Sequence, residues 1–135
     1  MNASYDKPLP RIDALNRPFW DAARENRLVV QSCSDCGDTR FPPSPTCPNC
    51  LSPEQTWKPV SGRGVLESWV DFYRAYWDGY KDSLPYRVCL VRLAEGPLLI
   101  SNLVGDTDNA RHGAAVQVVF DKVTDDVTLP KFKLI

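Results

Sequence analysis

Cys33-Ser34-Asp35-Cys36-Gly37 and Cys47-Pro48-Asn49-Cys50 are two Cys-x-x-Cys knuckles separated by ten residues. Two thiolates at that spacing grip one ion while the backbone amides between them turn toward the sulfurs. Gly37 supplies the positive φ that closes the first knuckle. Two knuckles fill four tetrahedral positions and leave none for water or substrate, which makes a metal there structural. A pair of redox dithiols or disulfides is the competing use of the same cysteines. Paired knuckles favour metal where a lone Cys-x-x-Cys does not. Iron in a rubredoxin-like site takes the same four ligands, and zinc is preferred because no other redox feature accompanies them. The fifth cysteine, Cys89, lies in the apolar run RVCLVRLA and reads as a small buried hydrophobe, with a reactive thiol as the alternative.

A second cluster is aromatic: Trp69, Phe72, Tyr73, Tyr76, Trp77, Tyr80 and Tyr86. Trp69 and Phe72 read as core. The stretch Tyr76-Trp77-Asp78-Gly79-Tyr80-Lys81 is loop-like, and exposed aromatics on a loop favour a binding surface for a protein, a base or an adenine ring. Catalytic constellations are missing. His112, the single histidine, sits beside Gly113 in a polar loop and reads as solvated. No nucleophile elbow, P-loop or dinucleotide fingerprint is present, and Glu67, Asp71, Glu95 and Asp121 show no pairing. The chain is not expected to be an enzyme on its own.

The elements that must position these groups follow from periodicity and punctuation. Residues 1–14 read as an arm that packs late or only on a partner. A short helix follows, with Asn16 as cap, Pro18 in its first turn, Phe19, Trp20 and Ala23 on one stripe, and Asn26 as a left-handed end. Leu28-Val29-Val30 leads into the first knuckle, and four prolines between 42 and 48 make the inter-knuckle segment a rigid loop. After Gly62-Arg63-Gly64 comes a long strand whose alternating faces are both mixed, as expected of a strand bent between two environments. Further strands are expected at 87–94, 98–104 and 115–123, with a tight turn at 94–97, a polar loop at 105–114 and a final edge strand in LPKFKLI. The expected organisation is an arm and helix over 1–27, a rubredoxin-like ribbon over 28–58 and a small antiparallel barrel over 59–135.

A formal net charge of −1 provides no basic face for a phosphate backbone. No run approaches the ~18 apolar residues that span a bilayer. The first residues lack the apolar stretch of a secretory signal, so a cytoplasmic protein is expected.

The order of these motifs resembles the DUF35 family, which pairs a rubredoxin-like zinc ribbon with an OB-fold and is described as acyl-CoA-associated. The matching pieces are Phe19-Trp20 through Leu28, the Cys-x-x-Cys-Gly and Cys-Pro-x-Cys knuckles and Gly62-Arg63-Gly64-Val65-Leu66. They continue with Pro85-Tyr86, Glu95-Gly96-Pro97 and Leu129-Pro130-Lys131-Phe132. The resemblance implies a non-catalytic subunit of a thiolase-fold enzyme: a thiolase, an acyltransferase or a retro-aldolase that shortens steroid side chains as CoA thioesters. It also implies that the unit helps form the partner's acyl-CoA site. Tyr76, Trp77, Lys81 and Arg87 are candidates, on composition and place, for the wall and cations of a CoA groove between ribbon and barrel, or for the partner surface. The alternative is a barrel that binds single-stranded nucleic acid, which would need cations interleaved with aromatics and a steep salt dependence. The near-neutral charge argues against it.

Overall fold

The computed structural model describes residues 5–135. One short helix, α1 (Arg17–Arg24), precedes β-structure throughout the rest of the chain. Phe19, Ala22 and Ala23 form its buried face. Asn16 occupies the cap position but is itself helical in conformation, and its side chain makes no cap bond. Its side-chain Oδ1 accepts from the Asp13 backbone amide (2.9 Å) and its Nδ2 donates to the Arg11 carbonyl (3.0 Å), while Asp13 Oδ1 accepts from the Asn16 backbone amide. The expected cap therefore faces backward and ties the arm to the helix. Asn26 takes φ 60° and ends the helix as expected.

The ribbon is a three-stranded antiparallel sheet with β1 (Leu28–Cys33) flanked by β2 (Thr39–Arg40) and β3 (Gln55–Val60). The barrel follows: β4 (Arg63–Phe72), β5 (Tyr86–Leu93), β6 (Leu98–Val104), β7 (Ala115–Lys122) and β8 (Thr128–Leu134). Its strands close in the order β4-β5-β6-β8-β7, and β7 returns to β4. This is the five-stranded Greek-key barrel of the OB fold. The expected bend in β4 is a register shift between Leu66 and Ser68, with Glu67 as the extra residue.

One expectation is corrected. The C-terminal segment is no edge strand: β8 lies between β7, antiparallel, and β6, parallel. Closure of the barrel recruits it because Phe132 is fully buried there. A single apolar core unites the modules, since Phe19, Leu28 and Val30 pack in the same cluster as Leu66, Val91, Val116 and Phe132. Of the two alternatives for the arm, packing on the chain itself is the one seen at its described start. Residues 5–7 lie against this chain's own barrel, with the Lys7 ammonium 5.4 Å from the Tyr80 ring centre and Asp6 against Gly79. The first four residues of the expected arm lie outside the described residues. Among the described residues, no helix is long and apolar enough to cross a membrane.

Candidate metal centre and binding surfaces

The two knuckles are built by one hydrogen-bond pattern used twice. The Gly37 amide donates to the Cys33 carbonyl (3.0 Å) and the Cys33 amide to the Asp38 carbonyl (2.8 Å). In the second knuckle the Leu51 amide donates to the Cys47 carbonyl (2.8 Å) and the Cys47 amide to the Ser52 carbonyl (2.8 Å). Each turn needs a left-handed residue after its second cysteine, and Gly37 (φ 79°) and Leu51 (φ 66°) take that conformation. In each knuckle the first cysteine is buried and the second exposed.

This twofold arrangement brings Cys33 Sγ to 3.6 Å from Cys50 Sγ and Cys36 Sγ to 3.6 Å from Cys47 Sγ, all four sulfurs lying within 4.8 Å of one another. A tetrahedral ion with metal–sulfur bonds of ~2.3 Å sets its ligands ~3.8 Å apart, so the cluster has the size of a metal site. Disulfides would need sulfurs at ~2.05 Å, and all four cysteines are free thiols. The local field favours thiolates at Cys33 and Cys36. The Cys36 amide (3.5 Å) holds Cys33 down to about 6, and the Asn49 side-chain amide (3.5 Å) lowers Cys36. Cys50 goes the other way: the Ser52 amide lowers it, but burial and its three sulfur neighbours push it up to about 12. Four sulfurs this close cannot all be anionic without a cation among them. The donor set therefore fits a structural metal ion closed to substrate.

Leu51 is 75% exposed and holds a conformation that costs a side chain roughly 1–2 kcal/mol. Leu51→Gly is expected to stabilise the metal-loaded chain by about 0.5–1 kcal/mol, the lower figure reflecting glycine's looser unfolded state. Denaturant titration at saturating metal would show it, and an unchanged or lower midpoint would contradict it.

Beneath the ribbon lies a polar cluster that the sequence did not single out. Arg40 is buried, donates from Nε to Ser44 Oγ (3.1 Å) and bonds Gln55 Oε1. The Ser44 amide donates to Oε1 of the fully buried Gln31 (2.8 Å). These contacts anchor the proline-rich loop to the sheet. The one local signal is a period-two pairing, Gln31 opposite Arg40 on adjacent strands.

Of the four non-cysteine candidates, three share one place. Tyr76 and Trp77 are 63% and 58% exposed and lead into a 3₁₀ turn at Asp78–Ser83, where Lys81 makes an exposed contact of 3.4 Å with Asp78. Tyr76 stands edge-on to Phe72. Arg87 sits elsewhere. It forms a two-pronged pair with Asp71 (2.6 and 2.9 Å), donates to the Thr107 carbonyl (3.3 Å) and lies over the Trp69 ring. That guanidinium lowers the Asp71 carboxyl below its usual range.

Two cavities flank these groups. One of about 560 Å³ opens at the barrel mouth, where Arg87 lines it beside Tyr80 and Tyr86. The other, about 250 Å³, lies between α1 and the barrel among Phe19, Trp20, Phe41, Leu99 and Pro130. Tyr76, Trp77 and Lys81 line neither. Cys89 is buried in the barrel, and burial raises its thiol to about 11, as fits an inert packing residue. His112 Nδ1 lies 2.9 Å from the Glu67 carbonyl at the β4 bulge.

Comparison with known proteins accounts for both modules. Residues 20–54 match the family model described as ChsH2, rubredoxin-like zinc ribbon domain, and residues 57–121 that described as ChsH2, C-terminal OB-fold domain. A DUF35 domain-containing scaffold protein of Methanothermobacter thermautotrophicus is 33% identical over 73% of this chain and 75% of its own length. A DUF35 domain-containing scaffold protein of Pyrococcus furiosus is 30% identical over 79% of each. A probable enoyl-CoA hydratase alpha subunit of Thermomonospora curvata is 34% identical over 94% of this chain, which spans 40% of that subunit's length. Among solved structures, one described as Ltp2-ChsH2(DUF35) aldolase superposes with a TM-score of 0.84 at 32% identity, covering 93% of this chain and 98% of the matched one. A DUF35-family protein of unknown function from Sulfolobus solfataricus shares the fold at 19% identity and a TM-score of 0.62.

Proposed function

The chain belongs to the DUF35 family of ribbon–barrel proteins, and from that membership we propose that it is a non-catalytic accessory subunit of a thiolase-fold enzyme acting on acyl-CoA thioesters. The observation that carries this reading is the correspondence, over almost the full length of both chains, with a polypeptide of the Ltp2-ChsH2(DUF35) aldolase. The shared unit is the whole matched chain, so this protein offers a partner the same ribbon, barrel and relative placement of the two. The two archaeal scaffold relatives and the Thermomonospora hydratase subunit point the same way. A retro-aldolase on a CoA-linked side chain is the partner type nearest to the aldolase match.

In this reading zinc occupies the four-cysteine centre and fixes the ribbon against the barrel. The exposed Tyr76-Trp77 pair and Lys81 form a surface for the partner or for CoA, and Arg87 braces the mouth behind them. Coexpression of the tagged chain with the protein encoded beside it, and separately with a thiolase-fold aldolase, tests the proposal. A stable complex that survives gel filtration is expected, and Trp77→Ala combined with Lys81→Ala should reduce the retained partner or its acyl-CoA affinity about tenfold. A monodisperse lone chain that retains no such partner would refute the subunit reading. Full partner retention and full acyl-CoA affinity in the double variant would remove these residues from the surface.

A further inference from the structure

The cavity at the barrel mouth has a wall supplied by the chain's own N-terminal arm, through Tyr5 and Lys7. Its size, about 560 Å³, is that of a small-molecule site. On one side four groups form a column. Phe72 stacks on Tyr86 (5.0 Å between ring centres, 11° between planes), Tyr86 on Tyr80 (4.7 Å, 26°), and the Lys7 ammonium covers the outer face of Tyr80. Because the ring faces are used within the column, a ligand in the cavity meets ring edges and phenol hydroxyls. Tyr5, Tyr80 and Tyr86 all line the cavity and so bring their phenol groups to it. Burial raises Tyr5 and Tyr80 above the usual phenol value, so both remain protonated donors.

The charges around the cavity do not cancel. Arg87 is matched by Asp71, and Lys131 by Asp121 at 2.7 Å. Lys7 has no carboxylate partner among the described residues and rests on two rings instead. Its neighbour Asp6 lies against Gly79, where an added Cβ would collide with the Asp6 carbonyl and carboxylate. The 3₁₀ turn thus needs glycine at 79 for the arm to lie where it does.

We infer that the barrel-mouth cavity binds a small molecule through an oxyanion, a phosphate ester or a carboxylate, with Lys7 of the arm as the counter-charge and the tyrosine hydroxyls as donors. Nothing in the subunit proposal requires this site, and the site requires no partner enzyme. The full chain alone, metal-loaded, is the material for the test. Calorimetric titration with inorganic pyrophosphate and, separately, with acetate at constant ionic strength distinguishes the two anion sources. Saturable binding of one or both is expected. Lys7→Ala and Gly79→Ala should each weaken it about tenfold, as loss of a charge-assisted contact does, while Arg24→Ala on the remote face of α1 leaves it unchanged. Lys7 lies on the surface arm, so its variant is expected to fold, and an unchanged melting temperature would establish that. Absence of saturable binding by both anions, or equal affinity in Lys7→Ala and the parent, would overturn the inference. Weakening by Lys7→Ala but not by Gly79→Ala would keep the charge and reject the arm's seat on Gly79.

Discussion

Replacing Cys47 by serine is expected to release the bound metal and to lower the melting temperature of the whole chain by more than about 10 °C. A neutral hydroxyl is a poor substitute for a thiolate, and Cys47 is one of the two ligands on the buried side of the site. Structural zinc contributes an apparent ~10–16 kcal/mol to small ribbons and fingers, so loss of one ligand in four removes several kcal/mol. In domains near this size each kcal/mol moves the midpoint by roughly 2–8 °C. The effect should reach the barrel, because Leu28 and Val30 of β1 lie in the same apolar cluster as Leu66 and Phe132. Elemental analysis before and after exchange into metal-free buffer reads the first consequence, and a thermal scan the second. Zinc predicts a colourless protein, and ferric iron would announce itself by sulfur-to-metal absorption in the visible. Cys89→Ala is the matched control: it removes a buried thiol with no metal role, so metal should remain at full stoichiometry. A Cys47→Ser protein that keeps its metal and its midpoint would show that the cluster is not a site.

The metal centre was legible in the chain because its determinants are local. Cysteine spacing, the glycine after Cys36 and the prolines between the knuckles all act within a few residues. Other positions escape sequence, some because the residue type is silent and some because the partner is distant. Leu51 repeats the role of Gly37 with a residue type that gives no hint of a left-handed turn. Arg40 reads as an ordinary surface cation until β1, β2 and β3 pair and close over it, leaving Ser44 and Gln55 as its partners. Arg87 and Lys81 looked equivalent by composition. Pairing of β4 with β5 sets Asp71 opposite Arg87 and commits that cation, while Lys81 stays on a solvent-exposed turn. Which of its two alternatives the arm takes is hidden in sequence for the same reason: its contacts are made with Gly79 and Tyr80, more than seventy residues away. Barrel strands were readable one by one, whereas their order depends on which edges remain free when the last strand arrives.

That last strand gives the second large effect. Phe132→Ala is expected to destabilise the chain by about 3–5 kcal/mol, the usual cost of emptying a buried phenylalanine site. Phe132 has no exposed surface, and its backbone is paired on both sides, with Val118 on β7 and with Leu103 on β6. The ring cannot escape toward solvent, and neighbours in a closed barrel cannot collapse into the void without breaking register on one side or the other. Ile135, three residues on and 77% exposed, is the internal comparison, and its alanine variant should fall within ~0.5 kcal/mol of the parent. An edge strand, as the C-terminal segment reads in sequence, would show a smaller contrast, because an edge can relax outward. Chemical denaturation of the two variants at saturating metal decides between these. A Phe132→Ala cost below about 1.5 kcal/mol, the range of tolerated swaps rather than of cavities, would mean that β8 does not close the barrel.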